Sequence, residues 1–378
     1  MTDISYLVIS DIHLGHKRNQ TTDILHNLDN FFDFYSDTCS YKDLDIIFIA
    51  GDMFDSLLDF SGTEIHEIIV WLDKLMRFCG KHKIKLRVLE GTPSHDWKQS
   101  KIVDTMHNMM YFFTSADIKY IDTLYIEHIK DLELYILYVP DEWNSSSETT
   151  LQQVKELMND KGITSVDIAI MHGCFNYQVT WGNNVKVSYA HDEASYLSIV
   201  KYYISIGHIH THSVHDRIIA QGSFDRIAHG EEEPKGAVLL KIGREPSYML
   251  IENKLARTFK TIELKSLDLD KSMATIDRVV SKLREKSYVR IKASKTHPVF
   301  VALEDVKNKY PMYTFSKLGI DEEERVSYIQ PYFSTENYTP ISLTPDNLLE
   351  MLTTEIRNKY TLTDSQHLLL NSILENTK

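Results

Sequence analysis

Five short fragments bearing histidine and aspartate stand in order along this 378-residue chain, each just behind a run of β-forming apolar residues. Asp11-Ile12-His13 follows residues 6–9, Gly51-Asp52-Met53-Phe54-Asp55 follows 46–50, and Gly91-Thr92-Pro93-Ser94-His95-Asp96 follows 86–89. His172-Gly173 follows residues 168–171, and Gly207-His208-Ile209-His210 follows 203–206. Short apolar runs bounded by turn residues read as buried strands. Five strands that all end in carboxylate or imidazole are expected to set those groups along one rim of a sheet. Rigid strand ends are where ligands for a pair of divalent cations, about 3.5–4 Å apart, can be held.

Up to about residue 240 such strands alternate with helical stretches. Residues 29–35 and 64–79 carry apolar side chains at helical spacing; Ile65, Ile68, Ile69, Leu72, Leu75 and Met76 form a broad stripe that predicts a core or dimer face. Alternation of this kind usually builds α/β layers. Residues 124–128 with 132–139 predict a hairpin, 148–159 a helix after the Asn144-Ser145-Ser146-Ser147 loop, and 217–251 a further β-rich stretch. From residue 258 the texture changes to a small α+β module, with strands expected at 261–264, 288–293, 299–303 and 312–315 and a helix at 271–285. An acidic run and three prolines then suggest a linker. Residues 346–359 and 364–375 predict amphipathic helices. Such a pair cannot bury both apolar faces alone and is expected to dock on a partner. The predicted organisation is therefore 1–257, 258–318, 319–345 as a linker, and 346–378.

Cys39, Cys79 and Cys174 lie far apart without CxxC spacing, which fits a reducing compartment rather than a disulfide framework. The first residues carry no basic and apolar leader, and no run reaches the length of a membrane span. A cytoplasmic chain is expected, in the host cytoplasm if the source is viral. A formal net charge of −13 argues alone against nucleic acid. Yet residues 241–317 hold 17 Lys and Arg against 9 Asp and Glu, a local footprint for an anionic partner. A solvated basic face without a ligand is the plainer alternative.

One HxH or DxH means little among 17 histidines; five fragments in order mean more. Together they resemble the signature of the calcineurin-like metallophosphoesterases, DxH, GDxxD, GNH[DE], H and GHxH, with four of five fragments matching in full. The resemblance implies a four-layer α-β-β-α sandwich. It also implies a first ion on Asp11, His13 and His210, a second on His172 and His208, and Asp52 bridging both. The ions would lower the pKa of a water and clamp the phosphoryl oxygens. Carboxylate and imidazole suit Mn2+ first, with Mg2+, Fe or Zn2+ as alternatives. His95 would protonate the leaving oxygen, as imidazole's pKa suits. Asp55 would orient it, with Asp96 as the competing residue for that role. The family asparagine is missing. Ser94, which directly precedes His95, is the candidate replacement ligand, and water the alternative. His212 and His215 match no motif position. Trp97 and Trp181 near the motif loops are expected to pack in or beside the core, base stacking being the alternative.

Gln221-Gly222-Ser223-Phe224-Asp225-Arg226, Glu231-Glu232-Glu233 and Lys235-Gly236-Ala237-Val238 resemble the segment after the last motif of SbcD-type nucleases. That resemblance covers nearly the whole chain on weaker motifs and suits a divergent, bacteriophage-like version. It implies a capping domain at 258–318, and docking of the terminal helices on an SbcC-type ABC ATPase. It implies a homodimer paired through 64–79 or 101–113, and DNA as substrate in double-strand-break repair, recombination and replication. The activity implied is 3′→5′ exonuclease with single-strand endonuclease. A phosphatase for small-molecule or protein phosphoesters is the rival enzyme, and a weakly active DNA-positioning subunit the rival of another class.

Overall fold

The computed structural model describes residues 3–17, 20–110, 116–179 and 188–320. Trp181, most of the expected linker and the expected terminal helices lie outside the described residues. Met1–Glu322 forms one compact unit. It is a mixed α/β structure whose two six-stranded sheets are rich in parallel pairs.

In the first sheet β1 (Ile4–Ile9), β2 (Ile46–Ala50), β3 (Lys85–Leu89) and β4 (Ile118–Ile121) lie side by side and parallel. The second sheet has the order β5-β6-β7-β8-β10-β9. Its strands are β5 (Tyr125–Ile129), β6 (Leu134–Val139), β7 (Ile168–His172), β8 (Ile204–Gly207), β9 (Ser213–His215) and β10 (Ile218–Ala220). The chain then returns to the first sheet, laying β11 (Gly236–Ile242) antiparallel on β1 and β12 (Ser247–Glu252) outside it.

Strand alternation sorts the side chains. On β1, Leu7 and Ile9 join a core with α1 (Thr21–Phe32), α2 (Thr63–His82) and, through Val103 and Met106, the helix Ile102–Met110. Tyr6 and Val8 point the other way and meet Tyr138, Ile168, Ile170 and Ile219 of the second sheet. The far side of that sheet packs Leu137, Val139, Met171 and Ile206 against Val154 and Met158 of the helix Ser147–Asp160 and Tyr196 of the helix Glu193–Ile199. Strands covered on both faces need continuous apolar sequence, which is why β2 reads Ile-Ile-Phe-Ile-Ala and is buried throughout. Among the described residues no helix is long and apolar enough to cross a membrane.

The expected single rim is corrected here: β1, β2 and β3 belong to one sheet, β7 and β8 to the other. The ligand-bearing ends still meet, because β2 packs directly against β7 and β8.

Residues 259–320 build β13 (Phe259–Glu263), β14 (Tyr288–Ser294) and β15 (Thr314–Ile320), all parallel, around a core that includes Ile276, Val280, Val299 and Val306. The strand expected at 299–303 is instead the 3-10 turn Pro298–Phe300 followed by the helix Leu303–Lys309. Pro298 removes a ladder donor, the His297 imidazole accepts the Val299 N–H at 3.1 Å, and Val301 is 91% exposed, so no strand alternation survives. Two basic residues of this module, and Arg257 just before it, pair with acidic groups of the preceding domain. Arg257 pairs with Asp23, Lys286 reaches Asp23 at 3.4 Å, and Lys260 pairs with Glu232.

One charge sits between the two sheets. Arg87 on β3, 1% exposed, reaches across to Glu127 on β5 with bonds of 2.9 and 3.0 Å, and the Tyr138 hydroxyl donates to the same carboxylate at 2.9 Å. Burial would raise the Glu127 carboxyl, but Arg87 and Lys119 hold it down at about 2, from an ordinary 4.5. Because the folded value is depressed, this stabilisation is complete above pH ~4.5 and fades as pH falls toward 2, amounting to on the order of 3 kcal/mol. Glu127→Gln is expected to lower the melting temperature at pH 7, since Arg87 loses its main anion. It should also shrink the drop in melting temperature between pH 5 and pH 3 relative to the parent. Parallel pH profiles for the two proteins would contradict this account.

Candidate metal centre

The loops after β1 and β2 zip together beyond the strands. Asp11 N–H donates to the Gly51 carbonyl at 3.2 Å, Ile12 and His13 N–H to the Asp52 carbonyl at 2.9 and 3.1 Å, and Leu14 N–H to the Met53 carbonyl at 2.9 Å. This turns both chains sharply at the sheet edge. Asp11, His13 and Asp52 have φ of 51°, 54° and 48°, and His208 on the opposite sheet 93°. Left-handed backbone at a non-glycine residue costs of order 1–3 kcal/mol, and here four candidate ligands bear it. Small residues make room between the loops. A Cβ at Gly51 would lie 2.2 Å from His172 Nδ1, and one at Gly91 2.1 Å from the Asp52 nitrogen.

Two groups of ligand atoms result, each closed within 4.8 Å, Asp11, His13 and His210, and Asp52, His172 and His208, with a third, His13, Asp55 and His95, sharing His13 with the first. Asp11, His13, Asp52 and His172 are almost fully buried. Asp52 links the groups, its Oδ1 lying 3.2 Å from His172 Nε2 and its Oδ2 3.9 Å from His13 Nε2. The residues fit a cation. His172 Nδ1 donates to the Ala50 carbonyl at 2.7 Å, which turns Nε2 inward, where it is buried and makes no hydrogen bond. His13 Nε2 and His210 Nε2 converge to 3.1 Å. Carboxylates and imidazole nitrogens so placed form groups that could hold a metal ion. Their electrostatics agree: burial disfavours charge on both partners, yet Asp52 is held below the usual carboxylate range by His172, and His172 is raised well above its own by Asp52.

Each ligand is held from behind. Asp11 accepts the Ser10 hydroxyl and the His208 N–H at 3.0 Å. His210 Nδ1 lies 3.2 Å from Glu231 Oε1, and the buried Lys235 ammonium bonds the His210 carbonyl at 2.7 Å and sits 3.2 Å from Glu231. Burial would raise Glu231, but His210 and Lys235 hold it at about 2. Ser223 N–H also donates to the His210 carbonyl, at 3.0 Å.

His95 stands half-buried beside the first group, its ring centroid 5.1 Å from that of His13. Its Nδ1 donates to the backbone carbonyl of Asp55 at 3.0 Å. The Asp55 carboxylate, expected to orient His95, lies instead 3.2 Å from His13 Nδ1. The pairing of Asp55 N–H with the Leu14 carbonyl at 2.9 Å carries that side chain toward the first motif. Asp96 does not orient His95 either. It is fully buried and accepts the Phe54 N–H at 2.8 Å and the Gly91 N–H at 2.7 Å, stapling the second and third motif loops; burial and the Asp52 charge push its carboxyl up to about 8.

Ser94 is exposed on the short helical turn Pro93–Asp96, which absorbs the residues inserted before His95. Thr92, directly after Gly91, faces the ligands in its place. Its N–H donates to Asp52 Oδ1 at 2.6 Å and its hydroxyl lies 3.3 Å from His208 Nδ1. Asp141, two residues past β6, is also present there, 3.5 Å from His208 Nδ1. His215 stacks on Tyr177 at 4.3 Å and joins neither ligand group, and Trp97 is 56% exposed rather than packed in the core. Sequence reasoning missed Thr92, Asp141 and the bracing role of Glu231 and Lys235. Asp141 had a signal, since Pro140-Asp141 ends a sixth apolar run at 134–139.

No protein-family model matches the sequence. Solved structures of similar shape include GAP50, the anchor in the inner membrane complex of Plasmodium, with 15% identity and a TM-score of 0.41 over 67% of this chain and 86% of that one. Another is TT1561 of Thermus thermophilus, with 10% identity and a TM-score of 0.37 over 66% of this chain and 99% of that one.

Removing a brace behind a ligand histidine typically costs 10–100-fold in metal affinity. Glu231→Gln is therefore expected to weaken Mn2+ binding, followed by calorimetric titration of the full chain, by about that factor. A titration curve superimposable on the parent's would show that His210 needs no carboxylate behind it.

Proposed function

We propose that this chain is a calcineurin-like metallophosphoesterase acting as a metal-dependent DNA nuclease of the SbcD type. Two ligand groups, one holding the buried Asp52 whose second oxygen lies 3.9 Å from His13 of the other, with His95 at their edge, are the observation that carries the proposal. The three hydrophobic clusters support reading the main domain as a four-layer α-β-β-α sandwich.

Two divalent cations, Mn2+ foremost, would lower the pKa of a water and draw charge off the phosphoryl oxygens. The protein's own groups do the rest. Asp11, His13 and His210 would hold one ion and His172 and His208 the other, with Asp52 serving both. The Asp55 carbonyl accepts the His95 Nδ1 proton and so aims Nε2 outward. In its cationic form the ring donates the Nε2 proton to the departing 3′-oxygen as the bond to phosphorus breaks. The Asp55 carboxylate, on His13 Nδ1, fixes the ring that binds the first ion.

DNA as substrate rests on the basic composition of residues 241–317 and on the likeness of segment 221–238 to SbcD-type nucleases. The terminal helices are proposed to dock on an SbcC-type ATPase. Exposed Val70 on α2 and Met109 on the helix Ile102–Met110 support a homodimer. The pairing of Arg257, Lys286 and Lys260 with Asp23 and Glu232 favours a second reading, a phosphatase for small phosphoesters, because it removes positive charge a duplex would need.

Linear duplex DNA and p-nitrophenyl phosphate, each with Mn2+, separate the two. Shortening of the duplex, abolished by chelator and reduced about 10²–10⁴-fold by His95→Ala, is the expected result. Intact DNA alongside turnover of the small ester would overturn the nuclease assignment in favour of the phosphatase.

A further inference from the structure

We infer that Asp141 is a ligand of the second cation, supplying a carboxylate where the metallophosphoesterase pattern has an amide, with Thr92 positioning it. The inference rests on the metal-centre reading above and deepens it. Asp141 follows β6, which runs parallel to β7 with Val139 opposite Met171, so it emerges one strand away from His172. One of its oxygens is engaged at home, Oδ1 accepting the Glu142 N–H at 2.9 Å. The other turns to the site: Oδ2 accepts the Thr92 hydroxyl at 3.0 Å and lies 3.5 Å from His208 Nδ1. Its side chain is only 13% exposed, too buried for an idle surface acid.

Thr92 explains the arrangement. Its N–H is given to Asp52 Oδ1 at 2.6 Å, and its hydroxyl stands 3.3 Å from Asp52 Oδ2 and 3.0 Å from Asp141 Oδ2. A hydroxyl has one proton, so it cannot satisfy two carboxylates together. Two anionic oxygens and the His208 imidazole surround one hydroxyl, and a divalent ion would satisfy the lone pairs that its single proton leaves over. Exchange of an amide for a carboxylate also adds a negative charge. It makes the donor set harder, favouring Mn2+ or Mg2+ over Zn2+. Gly173, with φ +128°, lets Asp141 approach: a Cβ there would stand 3.0 Å from Oδ1.

The test is Mn2+ stoichiometry and affinity of the full chain by calorimetry for the parent, Asp141→Ala and Asp141→Asn, with anomalous scattering from Mn2+-soaked crystals of the parent. The expected result is two equivalents for the parent. Asp141→Ala should keep one and lose at least about 10-fold in the other, and Asp141→Asn should recover part of that loss. In the parent crystal Asp141 Oδ2 should lie within about 2.6 Å of the anomalous peak at Asp52, His172 and His208. Two unchanged equivalents in Asp141→Ala, or a peak whose oxygen neighbours leave out Asp141, would overturn the inference while leaving the metal centre standing. No Mn2+ at any site of the parent would overturn both. The crystal measurement needs no variant, so a misfolded Asp141→Ala leaves the question decidable.

Discussion

A single buried carboxylate couples everything in this molecule that looks chemical. Asp52 takes its place because β2 is central in its sheet and packs against β7 and β8 of the other. Its two oxygens therefore face His172 from one sheet and His13 from its own. No surface position could do this. A carboxylate left in water gains little from a histidine 3–4 Å away, whereas in a buried site the same pair is strong enough to displace both titrations in opposite directions.

Such a site needs a frame stiff enough to bear its strain. Left-handed backbone at Asp11, His13, Asp52 and His208 opposes folding, and so does desolvating their charges. The frame answers with apolar contact on both faces of each sheet and with ionic contact between them, Arg87 and Lys119 to Glu127. That contact lies in the same inter-sheet layer as Leu89 and Tyr138, at the side where β3 of one sheet faces β5 and β6 of the other.

Most of the strand scaffold was legible in the sequence because fully buried parallel strands are continuous apolar runs. β2 begins and ends where its apolar run does, and β1, β3, β7 and β8 differ by one or two residues. What eluded sequence reading was how the strands are shared between sheets, since β7 and β8 look like β1 and β2 in composition. Pairing is a long-range choice that no local pattern records. The same limit applied to the site. The order of the motifs pointed to Asp11, His13, Asp52, His172, His208 and His210, which the fold brings together. The family resemblance attached Asp55 to His95 through its carboxylate, whereas the backbone carbonyl makes that bond. Adjacency to His95 pointed to Ser94, because nothing in a string of residues says that a helical turn will carry it away from the ligands. The strand expected at 299–303 failed for a local reason, Pro298, that the apolar run concealed.

Charge accounting ties the altered third motif to the rest. Asp11, Asp52, Asp55, Asp141 and Glu231 each touch a ligand histidine or Thr92, and Lys235 is the one ammonium bonded among them. With Glu233 also on Lys235, carboxylates outnumber the ammonium groups bonded among them. A buried cluster of like charges is tolerable only if something positive resides in it, and protonated histidines would do so at the cost of the lone pairs that His172 Nε2 and His13 Nε2 direct inward. The geometry that makes the cluster expensive to bury is also one that could hold a metal ion. Thr92 and Asp141 meet beside that cluster, the first from the loop after β3 and the second from just past β6.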